Sequence, residues 1–240
     1  MPYLIVSDIH GNLEALTAVL ADADGRYDSI ICLGDLVGYG ADPNAVVDWA
    51  RANVKTIIRG NHDKACCGID PLEHYNPHAR ASASWTRGIL TSESFRFLEN
   101  LPRGPLRYDN FDLIHGSPAD EDEYLITVGD VDHIRSSIDS PLYLFGHTHV
   151  QGGFLVTRTT VKRITPGRIF DIELNHTCLL NPGAVGQPRD RDPRAAYAIF
   201  TPQERTFEYR RVAYDIDKAA DKILAAGLPD SLAARLYQGL

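Results

Sequence analysis

The feature that most constrains this chain is a repeated way of ending a buried strand. Residues 3–6, 29–33, 54–58, 111–114 and 142–145 are short apolar runs rich in β-branched, leucine or aromatic residues, the pattern of strands buried on both faces. Each stops beside glycine and polar side chains: Ser7-Asp8-Ile9-His10-Gly11, Gly34-Asp35, Gly60-Asn61-His62-Asp63, His115-Gly116 and Gly146-His147-Thr148-His149. Amphipathic helical patterns separate the first three runs. One carries Leu13, Leu16, Val19 and Leu20, and the next starts at Pro43 and carries Val46, Val47 and Trp49. Strand, helix, strand, helix, strand at this spacing predicts βαβ units and a parallel sheet. Polar groups at the carboxyl ends of such strands are where open α/β sheets keep their chemistry.

Residues 64–100 read as mostly helical with a turn near Asn76-Pro77, and residues 128–138 as a further helix. Beyond His149 the pattern changes. Short strands at residues 154–157, 161–164, 169–174, 178–180, 197–200 and 207–212 predict an antiparallel meander. A helix over residues 216–226, stopped by Gly227, and a last short helix after Pro229 close the chain. No repeat or linker interrupts this order, so the expectation is a single domain over residues 1–240.

A formal charge of −8 disfavours a long nucleic-acid partner, which needs basic surface. It suits an enzyme holding cations, because two divalent ions would bring the sum to about −4. Cys32 sits inside a strand and Cys66-Cys67 are adjacent, which predicts reduced thiols rather than a disulfide framework. No apolar run approaches the ~18 residues of a membrane span, and no basic leader precedes the first strand, so the expected location is the cytoplasm.

The polar strand ends form one constellation. In extended backbone, residues i and i+2 point to the same side, so Asp8/His10 and His147/His149 are each expected to form a two-pronged pair. A lone histidine at a strand end is usually structural; five such ends drawn from across the chain are hard to obtain by chance. The set offers carboxylate, imidazole and amide donors without thiolate, which suits Mn²⁺, Fe, Zn²⁺ or Ni²⁺, with Mg²⁺ also open.

The motifs D-I-H, G-D, G-N-H-D, H-G and G-H-T-H, in this order from Asp8 to His149, resemble the signature of the calcineurin-like metallophosphoesterases. The resemblance continues in Asn181-Pro182-Gly183-Ala184-Val185-Gly186-Gln187-Pro188-Arg189-Asp190, which is similar to compact prokaryotic members. It implies a four-layer α-β-β-α sandwich with a binuclear metal site at strand carboxyl ends. By motif, Asp8, His10 and His149 would hold one divalent ion, with Mn²⁺ the first choice. Asn61, His115 and His147 would hold a second, and Asp35 would bridge. The implied reaction is hydrolysis of a phosphate ester by a hydroxide held between the ions, with His62 as general acid.

The chain departs from two relatives of that family. Protein serine/threonine phosphatases place an aspartate where this chain has Gly38. Those enzymes and the symmetrical dinucleoside tetraphosphatases place a phosphate-gripping arginine where it has Tyr39. A bidentate arginine suits a dianionic monoester, so its loss favours a small or nucleotide-like phosphodiester. Arg189, with Tyr39 at the substrate site, is the expected replacement cation. Phosphomonoesterase, protein phosphatase and dinucleoside polyphosphate hydrolase are the alternative activities. A non-catalytic protein-interaction scaffold is the alternative of another class, and self-association of the chain stays open.

Overall fold

The computed structural model describes residues 1–173 and 175–240. The first unit runs β1 (Tyr3–Val6), α1 (Leu13–Ala23), β2 (Ser29–Cys32), α2 (Pro43–Asn53) and β3 (Thr56–Ile57). Here β1 and β2, and β2 and β3, pair parallel, as the spacing predicts. Then come α3 (Asn61–Cys67), α4 (Pro77–Ile89), α5 (Ser92–Glu99), β4 (Leu106–Tyr108), β5 (Phe111–Leu113), α6 (Val128–His133) and β6 (Leu142–Leu144). The last third is β7 (Gly152–Val156), β8 (Val161–Ile164), β9 (Ile169–Asp171), β10 (Thr177–Asn181), β11 (Ala195–Thr201), β12 (Thr206–Val212), α7 (Ile216–Ala225) and α8 (Asp230–Gln238).

The strands form two six-stranded sheets, ordered β3-β2-β1-β11-β12-β9 and β4-β5-β6-β10-β7-β8. Strand alternation divides β1 between two cores. Tyr3 and Ile5 face the other sheet, among Leu113, Leu144 and Leu180. Leu4 and Val6 face outward, against Leu16, Val19 and Val46 of α1 and α2. A separate cluster sets Val131 and Ile134 against Phe145 and Leu179 on the far side of the second sheet. The layers are therefore helix, sheet, sheet, helix. Each fully buried Leu or Ile contributes about 1.5–3 kcal/mol, and burial of both sheet faces explains why these runs are apolar without alternation.

The late strands are not a meander. β7 and β8 join the second sheet and β9 crosses to the edge of the first. Returning, β10 lies parallel to β6 and antiparallel to β7, before β11 and β12 rejoin the first sheet. Burial explains the partition. β10 is almost wholly buried and takes a central place, whereas β9 is exposed at both ends and takes an edge. The strand expected over residues 169–174 ends at Asp171, and Leu174 lies outside the described residues. The expected helix over 128–138 is helical only to His133, with a single tighter turn at Arg135–Ser137. Among the described residues, no helix is long and apolar enough to cross a membrane.

Candidate metal centre and phosphate site

All five polar strand ends lie together, but not as extended backbone. β1 and β6 stop before their motifs, and Asp8, His10, Asp35, His147 and His149 adopt φ of 53°, 50°, 55°, 63° and 59°. The i, i+2 pairing therefore arises from successive left-handed turns, which corrects the expectation from strand geometry. A left-handed conformation costs a non-glycine residue about 1 kcal/mol or more. Backbone bonds between the loops hold it: Asp8 N–H donates to the Gly34 carbonyl and His10 N–H to the Asp35 carbonyl, both at 3.0 Å.

Two sets of donor atoms converge, each within 4.8 Å: Asp8, His10, Asp35 and His149, and then Asp35, His115 and His147. Asp35 belongs to both. Their protonation states can be worked out from the backbone. Nδ1 of His10, His115 and His149 lies 2.9, 2.7 and 2.6 Å from the carbonyls of Val37, Leu33 and Gln187. A carbonyl only accepts, so each Nδ1 carries the hydrogen and each Nε2 turns a lone pair inward. Likewise His147 Nε2 donates to the Asp122 carbonyl at 3.0 Å.

The consequence is a crowd of acceptors. His10 Nε2 faces His149 Nε2 at 3.1 Å, and Asp8 Oδ1 and Asp35 Oδ2 are buried without hydrogen-bond partners among the described residues. The other oxygen of each carboxylate accepts a backbone N–H, from His147 to Asp8 Oδ2 (3.2 Å) and from His62 to Asp35 Oδ1 (2.8 Å). Converging lone pairs and orphaned carboxylate oxygens in a dry site are an arrangement that a cation can satisfy. His115 registers the same demand: burial opposes charge on its ring, but Asp35 at 3.4 Å more than offsets it and pushes the pKa up to about 10, so its Nε2 holds a proton there and offers a lone pair only where a cation takes the proton's place. Burial instead pushes His10 and His149 down, and His147 to about 3. The donor set fits divalent cations.

Asn61 and His62 do not lie in an open loop; they begin α3. Asn61 Oδ1 sits 3.4 Å from His115 Nε2, which places its amide oxygen beside the second donor set. Gly60 caps the helix, and Asp63 accepts its N–H together with those of Asp35, Leu36 and Val37. That carboxylate ties the Asp35 turn to the start of α3, a role that the motif alone did not reveal. Among the described residues, His62 Nδ1 has no partner. Rings hold the imidazole instead: Tyr39 at 4.3 Å, His10 at 4.9 Å and Tyr75 at 5.8 Å between centroids. Gly38, at φ +87°, makes room, since a Cβ there would lie 2.5 Å from His62 Nδ1.

A cleft of about 480 Å³ opens onto Asn61, His62 and His147, and Tyr39, Tyr75, Tyr124, His74, Asp70 and Asp122 also line it. Residues 1–205 match the family model of the calcineurin-like phosphoesterase superfamily domain. The chain belongs to that superfamily. It is thus a hydrolase of phosphate esters, in a family that uses divalent metals. A metallophosphoesterase from Sphaerobacter thermophilus is similar over 100% of this chain and 99% of its own, with 39% identity and a TM-score of 0.87. An uncharacterized protein of Methanocaldococcus jannaschii is 36% identical, covering 98% of this chain and 97% of that one. A hypothetical protein of Pyrococcus horikoshii shares the fold at 19% identity, with a TM-score of 0.77 over 100% and 98% of the two chains.

Other residues of this phosphoesterase divide clearly. Arg189 Nη2 reaches the Tyr39 hydroxyl at 3.4 Å, and its guanidinium lies 5.7 Å from the Tyr39 ring centre, so these two expected substrate-binding residues meet. Arg194 instead pairs with Asp192, and Arg59 is held by both oxygens of Glu121. Part of the acidic stretch from Asp120 to Glu123, which reads as a solvated loop, reaches the cleft. Glu121 is buried between Arg59 and Lys64, Asp122 lines the cleft, and Tyr124 stacks on His147 at 3.8 Å. Of the remaining histidines His74 reaches the cleft, whereas His78 contacts Ser231 outside it. Nothing in the spacing pointed to Tyr124, which belongs to no motif, or to the contacts of Gln187, one through its backbone carbonyl and two through its amide oxygen.

Proposed function

We propose that this phosphoesterase cleaves small phosphodiesters whose leaving group is neutral and planar, of nucleoside size. The cleft beside His62 carries this reading. Its volume, about 480 Å³, is that of a small-molecule site. Tyr75 and Tyr124 offer stacking faces, and among the described residues its lining contains Asp70 and Asp122 but no lysine or arginine. A leaving group bearing its own phosphate would find no free cation there, because the nearby Lys64 is already paired with both carboxylates.

Asp8, His10 and His149 would hold one divalent cation, Asn61, His115 and His147 a second, and Asp35 would be shared. Mn²⁺ fits a nitrogen and oxygen donor set without thiolate, as do Fe, Zn²⁺ and Ni²⁺. When bound, such ions activate water and neutralise the phosphoryl oxygens. The two carboxylates against two divalent charges leave an excess of about +2, which favours an anionic ester. Arg189 positions the phosphoryl group from the Tyr39 side. His62 faces the cleft and gives a proton to the departing oxygen. Burial pushes its pKa down to about 4, and the negative charge of a bound phosphate raises it again. The caging rings keep the imidazole oriented without a carboxylate partner.

Arg189 also favours a second reading, a phosphomonoesterase, because a guanidinium beside the site suits a dianion. Hydrolysis of bis-p-nitrophenyl phosphate against p-nitrophenyl phosphate in Mn²⁺ decides between them. The diester is expected to be preferred, with turnover lost in His62→Ala and Asp35→Asn. Preference for the monoester selects the second reading, and activity surviving both substitutions removes the proposed site. Residues 1–240 act as one catalytic unit in this reading. Four buried free thiols fit a reducing compartment such as the cytoplasm.

A further inference from the structure

Arg189 and Arg235 share one neutral acceptor. Arg189 Nη2 lies 3.2 Å and Arg235 Nη1 3.4 Å from Oε1 of Gln187, a buried amide. Among the described residues, Arg26, Arg59, Arg210 and Arg211 are each neutralised by a carboxylate, whereas neither member of this pair has one. Two half-buried guanidinium groups at one amide oxygen repel each other. Burial and then the charge of Arg189 lower the pKa of Arg235.

The fold holds them there regardless. Leu232, Ala233 and Leu236 of α8 pack in a cluster with Tyr39, and Arg191 N–H donates to the Gly239 carbonyl at 2.9 Å. Arg189 is the member nearer the metal centre: its N–H donates to the His149 carbonyl, and its charge acts on His62 and His149. Arg235 stands one step beyond. It comes from α8, outside the residues that match the family model, so no family motif supplies it.

We propose that Arg235, together with Arg189, binds a second oxyanion on the part of the substrate that is retained after cleavage. This deepens the phosphodiesterase reading and rests on it. A phosphate or carboxylate beyond the scissile phosphorus satisfies both guanidinium groups and removes their repulsion. The cleft beside His62 offers that charge no free cation, since Asp70 and Asp122 line it and Lys64 is already paired with both. The substrate is thus a phosphodiester or phosphoanhydride with a neutral leaving group on one side and an anion on the other.

Two non-hydrolysable probes test this on the metal-loaded protein: ethylphosphonate, with one anionic group, and ethane-1,2-diphosphonate, with two. Calorimetry is expected to show the diphosphonate binding at least about tenfold more tightly, the scale of one charge-assisted contact. Arg235→Gln brings the ratio to about one, and Arg235→Lys retains part of the preference because the charge remains. No preference in the unaltered protein, a preference that survives Arg235→Gln, or an equal loss for both probes overturns the proposal. The equal loss would mean that Arg235 only supports Gln187. Because neither probe is turned over, failure to hydrolyse diesters counts against the proposed activity alone.

Discussion

Replacing Asp63 by asparagine removes one oxygen from the middle of the site's backbone scaffold. Oδ2 accepts from Asp35 N–H at 2.8 Å and Gly60 N–H at 3.0 Å, and Oδ1 from Leu36 N–H at 2.9 Å and Val37 N–H at 3.3 Å. The substituted side chain would keep one accepting oxygen and turn its amide NH₂ toward the other two donors. Two buried N–H groups are then orphaned, at about 1–3 kcal/mol each. Relief from burying a charge recovers part of this, so the expected loss is about 1–5 kcal/mol. In urea unfolding the midpoint should fall with the slope unchanged. The same change frees the Asp35 turn, and the affinity for Mn²⁺ should drop about 10- to 100-fold. Asp132→Asn, which breaks only an exposed pair with Arg135, should cost under about 0.5 kcal/mol. A loss below about 1 kcal/mol for Asp63→Asn, or unaltered metal affinity, would refute the assignment of Asp63 as the clamp between Asp35 and α3.

Gly38→Ala places a methyl 2.5 Å from His62 Nδ1, so kcat for bis-p-nitrophenyl phosphate should fall about 100-fold through displacement of the ring. Gly167→Ala, with open space around it, should change nothing, and a Gly38→Ala rate close to that of the unaltered protein would contradict the ring-cage account. Mn²⁺ at about 100 times its dissociation constant should stabilise the fold by about 2.7 kcal/mol, read as a rise in Tm that Asp35→Asn abolishes. Burial pushes the thiols of Cys66 and Cys178 up, the latter to about 11. Ellman's reagent should therefore find no fast thiol in the native protein and all four after unfolding.

Sequence and tertiary structure contributed at different ranges. The five strand ends, the two βαβ units and the outward-facing helices were legible because each is a local pattern: an apolar run, a periodicity, a glycine followed by a ligand-type side chain. The residues predicted as ligands, His62, and the choice of Tyr39 and Arg189 followed from those patterns and the family resemblance. What stayed hidden depends on distance through space. The exchange of β9 and β10 between sheets is decided by which strand loses most water-exposed apolar surface, a property of the whole layer stack. The left-handed turns at Asp8, His10, Asp35, His147 and His149 hold only because neighbouring loops bond to them. The ring cage around His62 brings together Tyr39, Tyr75 and His10 from separate segments. The Arg189–Arg235 pair exists because α8 folds back onto the loop after β10, and a charge on a short late helix carries no sign of the partner it will meet.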